Sequence, residues 1–171
     1  MSQSYPPPQQ PQQPQQPYGA PLPQYGAPTA APASTGNPGL GILAGVVVML
    51  VVAGIYGAIL KATDGATIGY AALIIGALIG AAMGKVGGRS AALPVIAAIL
   101  GLAGLYLGSI FGYALLISAS PEGPHLSVVD VLFKNFDLVN TVWKKLLEPV
   151  DALFFVLAAA GGFSAAKKTA D

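Results

Sequence analysis

Few residues in this sequence have the types and spacing that binding or catalytic chemistry requires. The run from Gly84 to Ser90 (GKVGGRS) looks superficially like a phosphate-binding loop, in which glycine amides and a lysine hold phosphate oxygens. The first glycine is missing at the required spacing, and Val86 follows the lysine where serine or threonine is needed. We therefore expect a plain loop that orients two helices, with Lys85 and Arg89 as candidate contacts to lipid headgroups.

Catalytic and metal-binding constellations are also missing from the sequence. The chain has no cysteine and one histidine, which excludes thiol catalysis, disulfides and cysteine-ligated metals and disfavours a histidine-based metal site. That histidine, His125, stands in a predicted surface turn, where an isolated imidazole is usually incidental. No nucleophile–base pair and no zinc-protease motif is present. We predict no catalytic residue, no metal and no cofactor, so the protein is not expected to be an enzyme.

The apolar segments contain few polar atoms. In the first three segments these come from five side chains: Tyr56, Tyr70, Tyr106, Ser109 and Tyr113. Ionisable residues inside a membrane usually mark proton relays or ion pathways, and the interiors of these segments have none. Asp151 opens a fourth segment, where a carboxylate suits the positive end of a helix dipole without any catalytic role.

The composition determines what kind of scaffold must position these residues. The 171 residues are 54% hydrophobic and 9% charged, with mean hydropathy +0.65. Soluble domains carry about 25% charged residues, so an ordinary soluble domain is excluded. The net charge of +1 gives no case for nucleic-acid binding. We predict an all-α membrane protein preceded by a disordered polar tail.

The predicted tail, residues 1–38, holds 11 of the 15 prolines and every glutamine. Proline removes a backbone donor and fixes φ, so neither helix nor sheet can propagate. We favour the interpretation that this tail is a solubilising spacer without a specific ligand. The alternative is a docking arm in which Tyr5, Tyr18 and Tyr25 contact a protein partner.

Four apolar runs predict four transmembrane helices in a membrane domain of residues 39–171. Their approximate ranges are 39–60, 67–84, 91–118 and 150–166. Asp64–Gly65 is the predicted turn between the first two, and Ser90 is the predicted cap of the third. The last run, with some 17 residues, is near the lower limit for spanning.

Between the third and fourth spans, residues 127–148 predict a surface amphipathic helix. Polar residues recur at steps of three or four, which places them on one stripe. Trp143 is the predicted anchor at the membrane interface. Either this helix lies in the membrane surface or it packs across the end of its own bundle.

Glycine recurs at every fourth position in the second and third spans. The two series are Gly76, Gly80, Gly84, Gly88 and Gly104, Gly108, Gly112. Such a stripe lets another helix backbone approach closely within a membrane. We expect the second and third spans to pack on each other inside one subunit. The alternative is that one stripe faces a neighbouring subunit and builds a homo-oligomer.

Orientation rests on the distribution of Lys and Arg, which is four against four between the two sides. Short loops carry more orienting weight than long ones, so discounting the long third connection places both termini in the cytoplasm.

The PQQPQQPYGAP…YGAP tail and the GALIGAAMGKVGGRS…LGLAGLYLGSIFGY hairpin together resemble small multi-pass membrane proteins of actinobacteria. This resemblance implies a bacterial cell-membrane location and transfers no catalytic or binding residue. We predict a non-enzymatic membrane component that contacts the lipid bilayer and binds a protein partner through its tail or its amphipathic helix. The alternative is a small oligomeric channel, or a subunit of a transport complex, packed through the glycine stripes.

Overall fold

A computed structural model describes residues 36–121 and 126–170, and within these ranges the chain forms six α-helices and no strand. The helices are α1 (Pro38–Ala62), α2 (Gly69–Gly87), α3 (Ala92–Ala119), α4 (Val128–Phe133), α5 (Phe136–Leu146) and α6 (Pro149–Thr169). Helices α1, α2, α3 and α6 are long and apolar enough to cross a membrane, which confirms the four predicted spans. The predicted tail up to residue 35, and His125, lie outside the described residues.

The boundaries of α1 follow from local signals in the sequence. The Asn37 side chain accepts hydrogen bonds from the Gly39 and Leu40 amides at 2.9 and 3.3 Å, which caps the helix start ahead of Pro38. At the other end the chain reverses through Asp64 and Gly65, whose φ values of 51° and 89° lie in the left-handed region. The predicted turn at these two residues is therefore confirmed.

Two predicted helix ends differ from the structure. Ser90 does not cap α3 with its side chain, because its carbonyl instead accepts the Leu93 amide at 3.2 Å and Ala91 is the capping residue. Helix α6 has 21 residues rather than some 17. It starts at Pro149, a residue favoured in a first helical turn, and its last turn includes Lys167 and Lys168, whose charges suit the helix C-terminus.

The starts of α1 and α3 and the ends of α2 and α6 meet at one end of the bundle, which we call the terminal end. There the Asn37 amide donates to the Val86 carbonyl at 3.2 Å, and Arg89 Nε donates to the Ala170 carbonyl at 3.2 Å. The opposite end, which we call the loop end, holds the α1–α2 turn, the end of α3 and the start of α6. The four spans are therefore two up and two down.

The spans are unequal in length. Helices α1 and α3 have 25 and 28 residues, whereas α2 and α6 have 19 and 21. Since the four meet at the terminal end, α1 and α3 extend further toward the loop end than α2 and α6 do. The difference between α3 and α2 amounts to about 13 Å of helix.

The predicted amphipathic helix over residues 127–148 is two helices, α4 and α5. The break follows from Asn135, because its side-chain amide and its backbone amide both donate to the Asp130 carbonyl, at 3.1 and 2.9 Å. These two bonds add to the regular i−4 bond that the same carbonyl accepts from the Lys134 amide at 2.9 Å, and α4 ends at Phe133. The polar spacing of the sequence indicates helix on both sides of this residue but gives no sign of the interruption.

Helices α4 and α5 pack against the loop-end half of α3. Val131 and Val139 are fully buried in a cluster with Ile110 and Ala114. The pair therefore contacts the chain's own bundle along α3, and its placement in the membrane surface stays a prediction. The opposite side of the pair leaves apolar side chains exposed, including Phe133 at 82%.

Candidate binding site at the loop end

The glycine stripe of α2 faces α6. A methyl group on Gly76 would overlap the backbone of Ala158, and one on Gly80 would overlap the backbone of Gly162. Gly84 meets α6 in the same way, but Gly88 lies beyond the end of α2 with φ 68° and ends that helix. The expected packing of α2 on α3 within one subunit is also present, since Gly101 lies against Gly76 and Gly104 against Ile75 and Ile79, but the closest backbone contacts of the α2 stripe are with α6.

The glycine stripe of α3 faces α1. A Cβ on Gly108 would lie 2.9 Å from the Tyr56 ring and 3.1 Å from the Ala53 carbonyl oxygen. Gly112 meets Leu60 and Gly57 of α1, and Gly104 meets side chains of α1 and α2. Spacing of four residues predicts a flat helix face but does not say which helix covers it.

Helix α6 contributes a glycine pair that the four-residue pattern does not reveal. Gly161 lies against the Leu73 carbonyl of α2, and Gly162 against the Ala97 carbonyl of α3. Two adjacent glycines point about 100° apart on a helix, so α6 can sit close to two neighbours at once. Both stripes are therefore occupied by helices of the same chain.

The two predicted headgroup contacts separate at the terminal end. Arg89 lines an open groove of about 540 Å³ together with Lys167, Lys168 and the Phe163 ring. Lys85 is exposed but does not line this groove. The structure thus brings Arg89 into the same groove as Lys167 and Lys168, which are almost 80 residues away in the sequence.

Trp143 lies between the bundle helices and not simply at its outer edge. Its ring makes edge-to-face contacts with Tyr106 of α3 and Phe155 of α6, at centroid distances of 5.0 and 6.3 Å. The adjacent Tyr106 hydroxyl lies 3.4 Å from Asn140 Oδ1. Trp143 therefore holds α5 against the bundle, and its predicted interfacial role remains a prediction.

Asp151 occupies the interior of the loop end, with only 9% of its surface exposed. Its Oδ2 accepts the Glu148 amide at 2.7 Å, so it stabilises the start of α6 as its position in the sequence predicts. Its burial inside the bundle is not visible in the sequence, because Asp151 is near the end of an apolar run where an exposed carboxylate is equally natural.

Around this carboxylate lies a small polar pocket, which we call the Asp151 pocket. Helices α1, α3 and α6 contribute Tyr56, Ser109, Tyr113 and Asp151 to it, and the α1–α2 connection contributes Thr67. Rings from α5 and α6 complete the wall: Trp143, Phe154 and Phe155. The enclosed volume is about 20 Å³, which is enough for one group the size of water.

The Asp151 pocket adjoins a larger groove that opens at the loop end. This groove has a volume of about 420 Å³ and shares Thr67, Tyr113 and Asp151 with the pocket. Two further carboxylates, those of Asp64 and Glu148, line it, and no lysine or arginine does. The loop-end groove is therefore acidic, and the pocket is its inner end.

No basic side chain neutralises Asp151 within the part of the chain that the structure describes. The ion pair found there joins Lys134 to Asp130 at 2.7 Å, on the exposed surface of α4. The same ranges contain no group of three metal-ligating side chains. The pocket thus combines a buried carboxylate, the four hydroxyls of Tyr56, Thr67, Ser109 and Tyr113, and several aromatic rings.

Asp130, unlike the buried Asp151, has a basic partner among the described residues, which is Lys134. The hydrogen bond from Lys134, followed by that from the Ser127 hydroxyl at 2.7 Å, lowers the pKa of Asp130 below its ordinary value. The carboxylate in turn raises the pKa of Lys134. This i,i+4 pair stabilises α4 only weakly, because it lies at the surface where solvent screens both charges.

No protein-family model matches this sequence, and neither a curated protein nor a solved structure is similar enough to count as a match. The predicted resemblance to small actinobacterial membrane proteins therefore remains a prediction.

Proposed function

We propose that this chain is a non-enzymatic, multi-pass component of the bacterial cell membrane that binds a second membrane protein through the outer surface of α4 and α5. The observation that carries the proposal is the composition of that surface. Phe133 is 82% exposed and Val129 63% exposed, and the charged residues Asp130 and Lys134 are their neighbours in the sequence.

Such a surface suits a protein better than it suits lipid tails. The exposed faces of the four spans are apolar along most of their length, and their exposed lysines lie in the last helical turns, as a bilayer core requires. On α4 and α5 the exposed aromatic residues Phe133 and Phe136 alternate with Lys134 and Asp137. Exposed aromatic side chains with a polar rim are typical of protein interfaces.

The channel alternative has less support. It depends on a glycine stripe that is free to face a neighbouring subunit, and both stripes face helices of the same chain. The enclosed space among the spans that adjoins Asp151 holds about 20 Å³, enough for one water-sized group. We therefore favour partner binding over conduction.

Co-purification from native membranes, quantified by mass spectrometry, tests the proposal. The full chain is compared with the double variant Val129→Ser, Phe133→Ser and with a chain lacking residues 1–38. Leu40→Ser is the matched control, because Leu40 is 54% exposed at the terminal end. We expect a specific membrane protein to be lost at least tenfold from the double variant and retained by the control.

The result for the truncated chain separates two surfaces. Loss of the same protein on removal of residues 1–38 makes the tail a second docking element, whereas retention leaves it a spacer. Recovery of the same protein with the α4 double variant at the level of the unmodified chain contradicts the proposed interface.

The proposed orientation places both termini, and therefore the terminal end, in the cytoplasm. Because the chain has no cysteine, single cysteines at Ser4 and Ser120 report the two sides directly. In intact cells we expect an impermeant thiol reagent to label Ser120→Cys and not Ser4→Cys. The reverse pattern refutes the orientation.

A further inference from the structure

We propose that the Asp151 pocket binds the primary ammonium group of an organic amine, whose remaining atoms occupy the loop-end groove. This site lies beneath α5 and is separate from the outer surface proposed to bind a protein.

The Asp151 carboxylate is buried without a basic partner among the described residues. Asp151 is more than nine-tenths buried, yet no lysine, arginine or histidine of the described residues lies within 4 Å of it. Burying a charge without a partner is costly. The Glu148 amide and the dipole of α6 compensate part of this cost at Oδ2, and they leave Oδ1 without a hydrogen-bond donor among the described residues.

The carboxylate oxygen of Asp151 that lacks a donor, Oδ1, is accessible. No buried side-chain nitrogen or oxygen of the described ranges is sealed off without a partner. An oxygen that makes no hydrogen bond there, such as Oδ1 of Asp151, must therefore reach accessible space, which at this position is the pocket or the groove that adjoins it. The Tyr56 side chain, only 4% exposed, lines the same space.

The wall of the Asp151 pocket has the groups that bind an ammonium ion. An ammonium group has three donors, and the pocket offers a carboxylate and the hydroxyls of Tyr56, Tyr113 and Ser109 as acceptors. Aromatic faces stabilise cations, and the wall includes Trp143, Phe154 and Phe155. Carboxylate and rings together attract a cation and give no favourable contact to an anion.

The volume of the pocket limits the size of the ammonium group. About 20 Å³ accommodates one NH₃⁺ group, which is close to water in size, but not a trimethylammonium group. The adjoining 420 Å³ groove, lined also by Asp64 and Glu148, has room for an alkyl or polar body. The pair of spaces therefore favours a primary amine over a quaternary one.

The test uses the full chain in nanodiscs of phosphatidylcholine and phosphatidylglycerol, with n-butylammonium as the probe and calorimetric titration at pH 7. We expect n-butylammonium to bind, and the neutral isostere n-butanol and tetramethylammonium to bind at least tenfold more weakly. Asp151→Asn should weaken n-butylammonium binding at least tenfold, since the asparagine oxygen can still accept the Glu148 amide while the charge is lost.

Two variants distinguish the site from a general effect of charge or folding. Asp137→Asn removes the same charge from the exposed surface of α5 and should leave binding unchanged. Tyr113→Phe keeps the ring and removes one hydroxyl, so it should weaken binding by a smaller factor of about three to ten. Circular dichroism of each variant verifies that the helices are intact.

Adding phosphatidylethanolamine to the nanodiscs identifies the natural source of the amine. If its headgroup weakens n-butylammonium binding by competition, the ligand is a lipid amine; if it does not, the ligand is a free one. Equal binding of n-butanol or tetramethylammonium, unchanged binding by Asp151→Asn in a folded protein, or no binding at all overturns the proposal.

Discussion

The two ends of this bundle differ in the side chains that fill their interiors. Near the terminal end, α2 and α6 meet through Gly80, Gly84 and Gly162, so that backbone lies against backbone. Near the loop end, tyrosine, tryptophan and phenylalanine rings fill the interior, and a polar pocket remains among them. Glycine contact leaves no room for a ligand, whereas large planar side chains meet at angles and leave a space between them.

The difference explains why the candidate site lies where it does. A membrane helix pair held by small residues gains its stability from close dispersion contacts and offers no polar atom. Ring edges, by contrast, bring hydroxyls into the interior with them. In the interior of the bundle, the loop end is therefore the part able to hold a small polar group, whereas the α2–α6 contact near the terminal end is closed. The open groove lined by Arg89 and the lysines of α6 is a separate feature of the terminal end.

The largest effect is expected at the glycine contact. Gly80→Ile places a branched side chain against the Gly162 and Ala166 backbones, where neither atom can yield as a flexible side chain could. We expect the free energy of unfolding to fall by at least about 3 kcal/mol. Denaturation in mixed micelles, followed by circular dichroism, measures the change.

Gly54→Ile is the matched control for that substitution, because an added Cβ at Gly54 meets nothing within 4 Å. It should leave stability within about 0.5 kcal/mol of the original protein. Equal destabilisation by both variants would mean that the stripe has no special packing role.

A smaller and local effect is expected at the aromatic end. Trp143→Ala removes the two edge-to-face contacts to Tyr106 and Phe155. Such contacts contribute about 0.5–1.5 kcal/mol each, so amide hydrogen exchange in α5 should accelerate by a factor of about 5 to 150 while exchange in α2 stays the same. Phe133→Ala, at a side chain 82% exposed, should change neither helix.

If exchange accelerates throughout the bundle in Trp143→Ala, the two ends unfold as one unit and the contrast between them has no energetic counterpart.

The smallest effect is expected on the surface of α4. In Lys134→Ala the pKa of Asp130 should rise toward its ordinary value, because the hydrogen bond that lowers it is lost. In the unmodified chain this lowered pKa stabilises α4 at pH values above the ordinary aspartate pKa, and the contribution disappears as the pH falls through the lowered value. Carbon-13 NMR of labelled aspartate measures the shift.

Much of this fold could be predicted because its signals are local. Apolar runs bounded by Pro38, Lys61 and the Asp64–Gly65 turn give the spans to within a few residues at each end. The pairing of helices could not be predicted in the same way, since a flat face carries no record of its partner. Gly161 and Gly162, which let α6 approach α2 and α3 closely, fall outside the four-residue pattern.

The candidate site was less visible for a related reason. Asp151 satisfies a local rule at the start of α6, and that rule fully accounts for an aspartate at this position. Its proximity to Tyr56 and Ser109 depends on how three distant helices meet. The interruption at Asn135 likewise depends on one side-chain hydrogen bond that helical periodicity cannot detect.

The unequal spans have a consequence for the surrounding lipid. A bilayer core of about 30 Å matches α2 and α6, but α3 with its 28 residues is roughly 12 Å longer than that core. Part of the excess is covered by Val131 and Val139 of the α4–α5 pair. The molecule therefore presents a short wall on one side and a tall, partly covered wall on the other, and a membrane of uniform thickness can fit both only if the protein leans or the lipid around it becomes wedge-shaped.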